Sequence, residues 1–207
     1  MELQARLTDL AMMGASWVMW VLVALSIIGF AIAMERAWVL ARSAADLDRV
    51  REDLRVSLAQ NDLPAVQARL ARSRAFESRI LAAGIAGAPG GAATAEEKMQ
   101  GAASLAKLQM ERRLAFLGTV GSNAPFVGLL GTVIGIIRAF HELDQSGGKV
   151  SAGLMSEIGE ALVATAVGIL VALPAIAAFN YFQRVIKARL ANADAIGRDL
   201  LAHLKAV

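Results

Sequence analysis

Three stretches of the chain carry no charged residue: residues 10–34, 114–137 and 161–183, which are 25, 24 and 23 residues long. A helix needs about 20 consecutive apolar residues to cross the hydrocarbon core of a bilayer, so each stretch predicts a transmembrane helix. The first is longer than the roughly 7 to 15 apolar residues of a signal peptide and ends in Met34-Glu35-Arg36, not in a small-residue cleavage site. It reads as a retained span. Ahead of it, Leu3, Leu7 and Leu10 recur at helical spacing among Glu2, Arg6 and Asp9, the pattern of an amphipathic segment at the membrane interface. Trp17 and Trp20 fall at the outer end of this span and Trp38 at its inner end, where indoles favour the headgroup zone.

Between the first and second spans the pattern changes to charged helices. Leu47, Val50, Leu54 and Leu58 repeat at helical spacing, then Leu63, Val66 and Leu70, and Asn61-Asp-Leu-Pro64 predicts a stop and restart because proline suits a first helical turn. Gly87-Ala-Pro-Gly-Gly91 predicts a clear break. Beyond it, Thr94 and Glu97 have capping-box spacing, and no further breaker precedes the membrane. One helix is therefore expected from about Ala95 to about Phe140, and the third span is expected to continue as a charged helix to near Leu204. The fold class is all-α, an integral membrane protein whose second and third spanning helices extend far into the cytoplasm. Its divisions are an interfacial segment (1–13), a first span (14–36), a cytoplasmic helical domain (37–113), a second span (114–140), a short periplasmic connection (141–158), a third span (159–183) and a cytoplasmic C-terminal helix (184–207).

Charge sets the expected orientation. Of 21 Lys and Arg, 13 lie between Glu35 and Arg113 and five after Gln183, whereas the connection 141–158 holds only Lys149. Basic residues accumulate on cytoplasmic loops, which places the N-terminus and the short connection outside and the C-terminus inside. The basic middle segment is no nucleic-acid surface: ten acids accompany its 13 bases, and Phe76 is its one aromatic between Arg42 and Arg113. With no cysteine, disulfides and thiolate metal sites are excluded. Nucleotide-binding, metalloprotease and nucleophile-elbow motifs are missing as well, so no catalytic residue, metal site or cofactor is expected.

The candidate chemistry lies in the second and third spans. Gly128, Thr132, Gly135 and Ala139 recur at four, three and four residues, and Thr165, Gly168, Ala172 and Ala175 form a similar stripe; with Gly131 they allow close helix approach. Such a stripe serves either as a packing seam or as the wall of a polar path. Pro125 and Pro174 interrupt the spans and free backbone carbonyls. Glu160 is the one acid placed at a span, at a cost that usually marks function, and it reads either as an interfacial carboxylate or as an ion-attracting group. Thr165 lies five residues on, about 140° around the helix. Glu35, Arg36 and Arg138 are expected to snorkel or pair at the interfaces, and His141 and His203 to be incidental. No aspartate occurs in the three runs, so a proton relay would need a carboxylate from another chain.

Gly121-Ser-Asn-Ala-Pro-Phe-Val-Gly-Leu-Leu-Gly-Thr-Val-Ile-Gly-Ile-Ile137, followed by Ile158-Gly-Glu-Ala-Leu-Val-Ala-Thr-Ala-Val-Gly168 and Ala172-Leu-Pro-Ala175, closely resembles the MotA/TolQ/ExbB proton-channel family in its TolQ/ExbB branch. The resemblance implies a homo-oligomer, a pentamer, in the bacterial inner membrane. It also implies two copies of a single-span partner subunit, similar to ExbD or TolR, whose transmembrane aspartate supplies the missing carboxylate. The family's pore threonines fall on Thr132 and Thr165, its third-span glutamate on Glu160, and its motif prolines on Pro125 and Pro174. The implied function is coupling of proton-motive force to work on a partner that spans the periplasm, in a TonB-type, Tol-Pal or gliding-type system. A non-conducting helical scaffold that only assembles partners is the alternative.

Overall fold

A computed structural model describes residues 16–44, 63–70 and 75–206, with positions 50, 52, 56, 72 and 73 between them. The amphipathic segment 1–13 and the residues Leu47, Leu54 and Leu58 lie outside the described residues. Among the described residues, six continuous α-helices follow one another: α1 (Ser16–Ala44), α2 (Leu63–Leu70), α3 (Phe76–Gly87), α4 (Gly91–Glu111), α5 (Leu114–Gln145) and α6 (Ala152–Ala206), with a 3-10 turn at Ala88–Gly90 between α3 and α4. No strand occurs among the described residues. The fold is the expected all-α one, and α1, α5 and α6 are each long and apolar enough to cross a membrane. At 55 residues, α6 is about 80 Å long, far more than a span requires.

The chain divides into two compact units, the first formed by residues up to Ala33 with Leu114–Phe179, the second by Met34–Arg113 with residues from Asn180 on. In the first, Val18 and Leu22 of α1, Val120, Ala124 and Ile134 of α5, and Val171, Ala172 and Ala175 of α6 make the core. The opposite faces stay apolar: Phe30, Phe126, Leu162 and Leu170 are all about two-thirds exposed, as they must be to meet lipid. The second unit has a core of ordinary soluble type, with Val66, Leu81, Met110, Ile186 and Leu200 almost fully buried. Helices α3, α4 and α6 pack closely where the Met99 side chain of α4 enters the space left by Gly84 of α3 and Gly197 of α6; a Cβ on Gly84 would lie 2.6 Å from that sulfur.

Two expectations are overturned in this unit. Thr94 is not an N-cap. The helix begins three residues earlier at Gly91, with Gly90 as its N-cap, and the Thr94 hydroxyl donates to the Gly90 carbonyl at 2.9 Å. Gly91 takes φ +85°, a conformation glycine adopts freely, so the turn starts the helix there. Nor does one helix run from Ala95 to Phe140. It stops at Glu111, Arg112 turns extended (φ −50°, ψ 130°), and Arg113 takes φ 65° before α5 starts at Leu114. Polar partners hold this break: Arg113 donates to Glu35 at 2.5 Å, Glu35 also accepts from Arg36, and Arg36 reaches the Gln109 carbonyl at the end of α4 at 3.4 Å. The pairing expected of Glu35 and Arg36 at an interface is thus made, and it includes a third residue.

The second unit also buries an ion pair. Glu77 of α3 and Arg189 of α6 are 1% and 5% exposed. The guanidinium donates from Nε to Glu77 Oε1 at 2.7 Å and from Nη2 to Oε2 at 2.6 Å, and gives further hydrogen bonds to the carbonyls of Leu40 and Ser43 in the last turns of α1. The Ser43 carbonyl is among the acceptors that a helix C-terminus leaves unfilled, and the Leu40 carbonyl lies one turn before it.

Candidate functional site

In the first unit α5 and α6 run so close that their backbones touch. A Cβ on Gly128 would lie 2.7 Å from the Ala164 carbonyl oxygen, and one on Gly168 2.7 Å from that of Ala124. Gly131 and Gly135 are equally filled, by the methyl groups of Ala164 at 2.6 Å and Ala161 at 2.5 Å. Real Cβ atoms do not approach so closely, so glycine is the one residue that fits these positions without a shift. The stripe read from sequence is a packing seam within one chain, the arrangement by which membrane helices gain van der Waals contact where the hydrophobic effect offers none. Gly128, Gly131, Gly135 and Gly168 act here together. Pro125 and Pro174 sit inside the continuous helices α5 and α6, and Pro174 lines a small apolar groove with Gly29 and Leu117.

Thr132 and Thr165 face each other across this seam, with their hydroxyl oxygens 3.2 Å apart and both side chains half-buried. Thr132 also donates to the Leu129 carbonyl at 2.6 Å, and Thr165 to the Gly128 carbonyl at 3.2 Å. A hydroxyl carries one proton. Two protons therefore serve three contacts: when Thr132 points at Leu129, Thr165 either donates to Thr132 or to Gly128, and the hydrogen of Thr165 can swing between them. That is a pair with two arrangements of nearly the same heavy-atom geometry, able to hand a hydrogen bond along the seam.

Glu160 takes a different place. Its carboxylate accepts from Ser16 of α1 at 3.4 Å, a long contact, and it is half-buried. The acid on the seam is Glu157, which sequence reasoning passed over by assigning it to the connection 141–158. The helices extend further: α5 reaches Gln145 and α6 begins at Ala152, which leaves residues 146–151 between them. Glu157, Ala161, Ala164 and Gly168 follow at four, three and four residues, so the same periodicity that marked the glycines places Glu157 in line with them. Arg138 of α5, expected to snorkel or pair, pairs with Glu157 at 2.9 Å. His141 shares a 2.8 Å hydrogen bond with Gln145 one turn on.

The chain is similar to known proteins. The chain is 41% identical over 92 residues to the biopolymer transport protein ExbB of Xanthomonas campestris, and 46% over 88 residues to that of Neisseria gonorrhoeae. These matches take in 44% and 42% of this chain but only 36% and 40% of the relatives' own lengths. The biopolymer transport protein ExbB of Aquifex aeolicus is 39% identical over 101 residues, 48% of this chain and 68% of the relative. A sequence model of the MotA/TolQ/ExbB proton channel family matches residues 72–195, a stretch that takes in α3, α4, α5 and most of α6, more than half of the chain. With two of the three apolar spans, the glycine seam and the paired threonines falling in that stretch, the chain belongs to the MotA/TolQ/ExbB proton channel family.

Proposed function

We propose that this chain is the channel and stator subunit of a bacterial inner-membrane motor, with its N-terminus in the periplasm and its C-terminus in the cytoplasm. Several copies, five in the family's pattern, surround two single-span partner subunits. An aspartate on each partner span binds and releases the proton that drives movement, and the partner carries that movement across the periplasm. The relatives' name as biopolymer transport proteins favours an import or envelope task of the TonB or Tol-Pal kind.

The observation that carries this reading is the Thr132–Thr165 pair. Two hydroxyls 3.2 Å apart inside a membrane-spanning seam have more acceptors in reach than protons, so their hydrogen bonds can rearrange without the helices moving. Beside a partner aspartate they would order the water or donate the hydrogen bond that the carboxylate requires as it changes charge. The glycines fix the two helices so that the hydroxyls stay in register, and Glu160 at the helix edge biases cations towards the mouth.

Valine keeps the approximate shape of threonine and removes the hydroxyl. The Thr132→Val, Thr165→Val double variant, purified with its single-span partner and reconstituted into proteoliposomes, should assemble and lose proton flux. Serine at either site should retain part of it. Wild-type flux in the double valine variant would leave these residues with packing alone, as the scaffold alternative requires.

A further inference from the structure

We propose that Glu157, steadied by Arg138, is the carboxylate that takes up protons from water at the Ala152 end of α6 and passes them into the α5–α6 seam. The inference rests on the channel reading above and names the residue at the mouth of that path.

Three observations meet at this point. Arg138 pairs with one carboxylate oxygen, its Nη2 lying 2.9 Å from Oε1; Oε2 is buried and has no hydrogen-bond partner among the described residues. A buried oxygen of this kind is an acceptor in want of a donor. Secondly, the pair opens on a cavity of about 210 Å³ lined, among the described residues, by Arg138, His141, Glu142, Gln145 and Glu157, which is room for several water molecules. Thirdly, Glu157 stands in line with Ala161, Ala164 and Gly168 on the face of α6 that α5 covers; its own carbonyl would lie 3.3 Å from a Cβ on Gly135. Thr165 follows eight residues on, about 12 Å deeper along the helix.

The charges facing Glu157 decide what it takes. From α5 come Arg138, Glu142 and His141; on its own helix Glu160 lies one turn deeper and is turned towards Ser16 of α1. Two carboxyl groups face one guanidinium there, so the acids outnumber the fixed cation and the cavity favours a positive ion. Glu142 is occupied in part by the Ser151 hydroxyl at 3.4 Å. Oε2 of Glu157 accepts a proton from hydronium and releases water; the protonated carboxyl then gives that proton to water on the seam side and returns to the carboxylate, so charge and atoms balance over each passage. Arg138 holds the ionised form in place between passages. It is a positioning residue.

The test uses the complex with its partner in proteoliposomes. E157Q should lower proton flux about 100-fold, the low end of the effect of removing a positioned proton-transfer group, with the oligomer intact by native mass spectrometry. E157D should keep part of the flux and E160Q should lose much less than E157Q. On acidification the unaltered complex should show a carboxyl C=O infrared band that moves in E157D and is missing in E157Q, a signal that a merely structural ion pair would not give. An E157Q complex that assembles and conducts at the wild-type rate overturns the inference. If the threonine double variant has lost flux in the same assay, the channel reading survives that failure. If the threonine variant conducts normally while E157Q does not, the failure lies with the threonines and Glu157 keeps its role. Should E157Q not assemble, R138Q/E157Q, which leaves no guanidinium uncompensated, takes its place with the same expected loss. An infrared band that neither variant alters overturns the inference independently of flux.

Discussion

The α5–α6 seam and the Glu77–Arg189 pair are both places where helices meet closely, and they use opposite chemistry. The seam is built by subtraction: glycine and alanine bring two backbones together, and among the polar groups at the contact are two half-buried hydroxyls with more acceptors than protons. The pair is built by saturation. Arg189 fills both oxygens of Glu77 and two carbonyls of α1, and the guanidinium lies 5.5 Å from the Phe76 ring. A hydroxyl pair with alternatives can change its hydrogen bonding without moving the backbone. A fully paired buried guanidinium cannot, and it fixes three helices of the second unit to one another. The chain has thus placed its adjustable polar groups in the spanning unit and its rigid ones in the unit with the soluble-type core.

Breaking the pair gives the largest expected effect on stability. Glu77→Ala leaves Arg189 buried with its charge unanswered and should destabilise the protein by about 3 to 5 kcal/mol, the usual loss when one member of a buried ion pair is removed. Replacing both, as Glu77→Leu with Arg189→Met, removes the uncompensated charge and should recover much of that loss, while the carbonyls of Leu40 and Ser43 lose their donor. Arg189→Lys should behave like a broken pair, since one ammonium cannot reach four acceptors in the guanidinium's fork. Thermal unfolding of the purified protein in detergent, followed by circular dichroism, measures all three. A Glu77→Ala protein as stable as the double variant would show that the pair is solvated and the contrast with the seam too sharply drawn.

The seam answers a smaller change. A methyl at Gly168 would meet the Ala124 backbone oxygen at 2.7 Å, and backbone yields only by moving the helices apart. Gly168→Ala should cost about 1 to 3 kcal/mol, as overpacking does elsewhere. Gly159, on the same helix, has nothing within 4 Å of its hypothetical Cβ, so Gly159→Ala should be neutral or gain up to about 1 kcal/mol from helix propensity. Opposite signs in the same unfolding assay support close backbone contact. Equal signs would mean that the glycines of the seam are as open as Gly159.

Most of the spanning unit was legible in the sequence because hydrocarbon leaves few solutions: a charge-free run must be a helix, and small residues at helical spacing must face something close. Thr132 and Thr165 were found by their place in such stripes, and the structure brings them together. Glu157 was missed for the same reason in reverse. It stands just beyond the charge-free run, and a charge next to a run reads as loop, although its spacing to Ala161 and Gly168 carried the signal. The pairing of Glu77 with Arg189, 112 residues apart, had no local signal at all. The stop at Arg112 and Arg113 was equally invisible, because neither glycine nor proline marks it and the partner, Glu35, comes from α1.

That stop offers the smallest expected effect and refines the comparison, since it is an ion pair of intermediate kind. Arg113 is half-exposed and Glu35 is shared with Arg36, so water screens the contact and the second arginine keeps the carboxylate occupied when Arg113 is lost. The larger part of the local energetics is then the backbone: φ 65° is a left-handed conformation that costs a residue with a Cβ about 1 to 2 kcal/mol and glycine almost nothing. Arg113→Gly and Arg113→Ala remove the same ion pair and differ in the strain alone. The glycine variant should therefore be the more stable of the two by about 1 kcal/mol and close to the unaltered protein, with Arg113→Ala below both in the same melting experiment. An alanine variant at least as stable as the glycine one would show that residue 113 abandons its left-handed turn once the ion pair is gone. The break between α4 and α5 would then depend on Glu35, as the second unit's helices depend on Arg189.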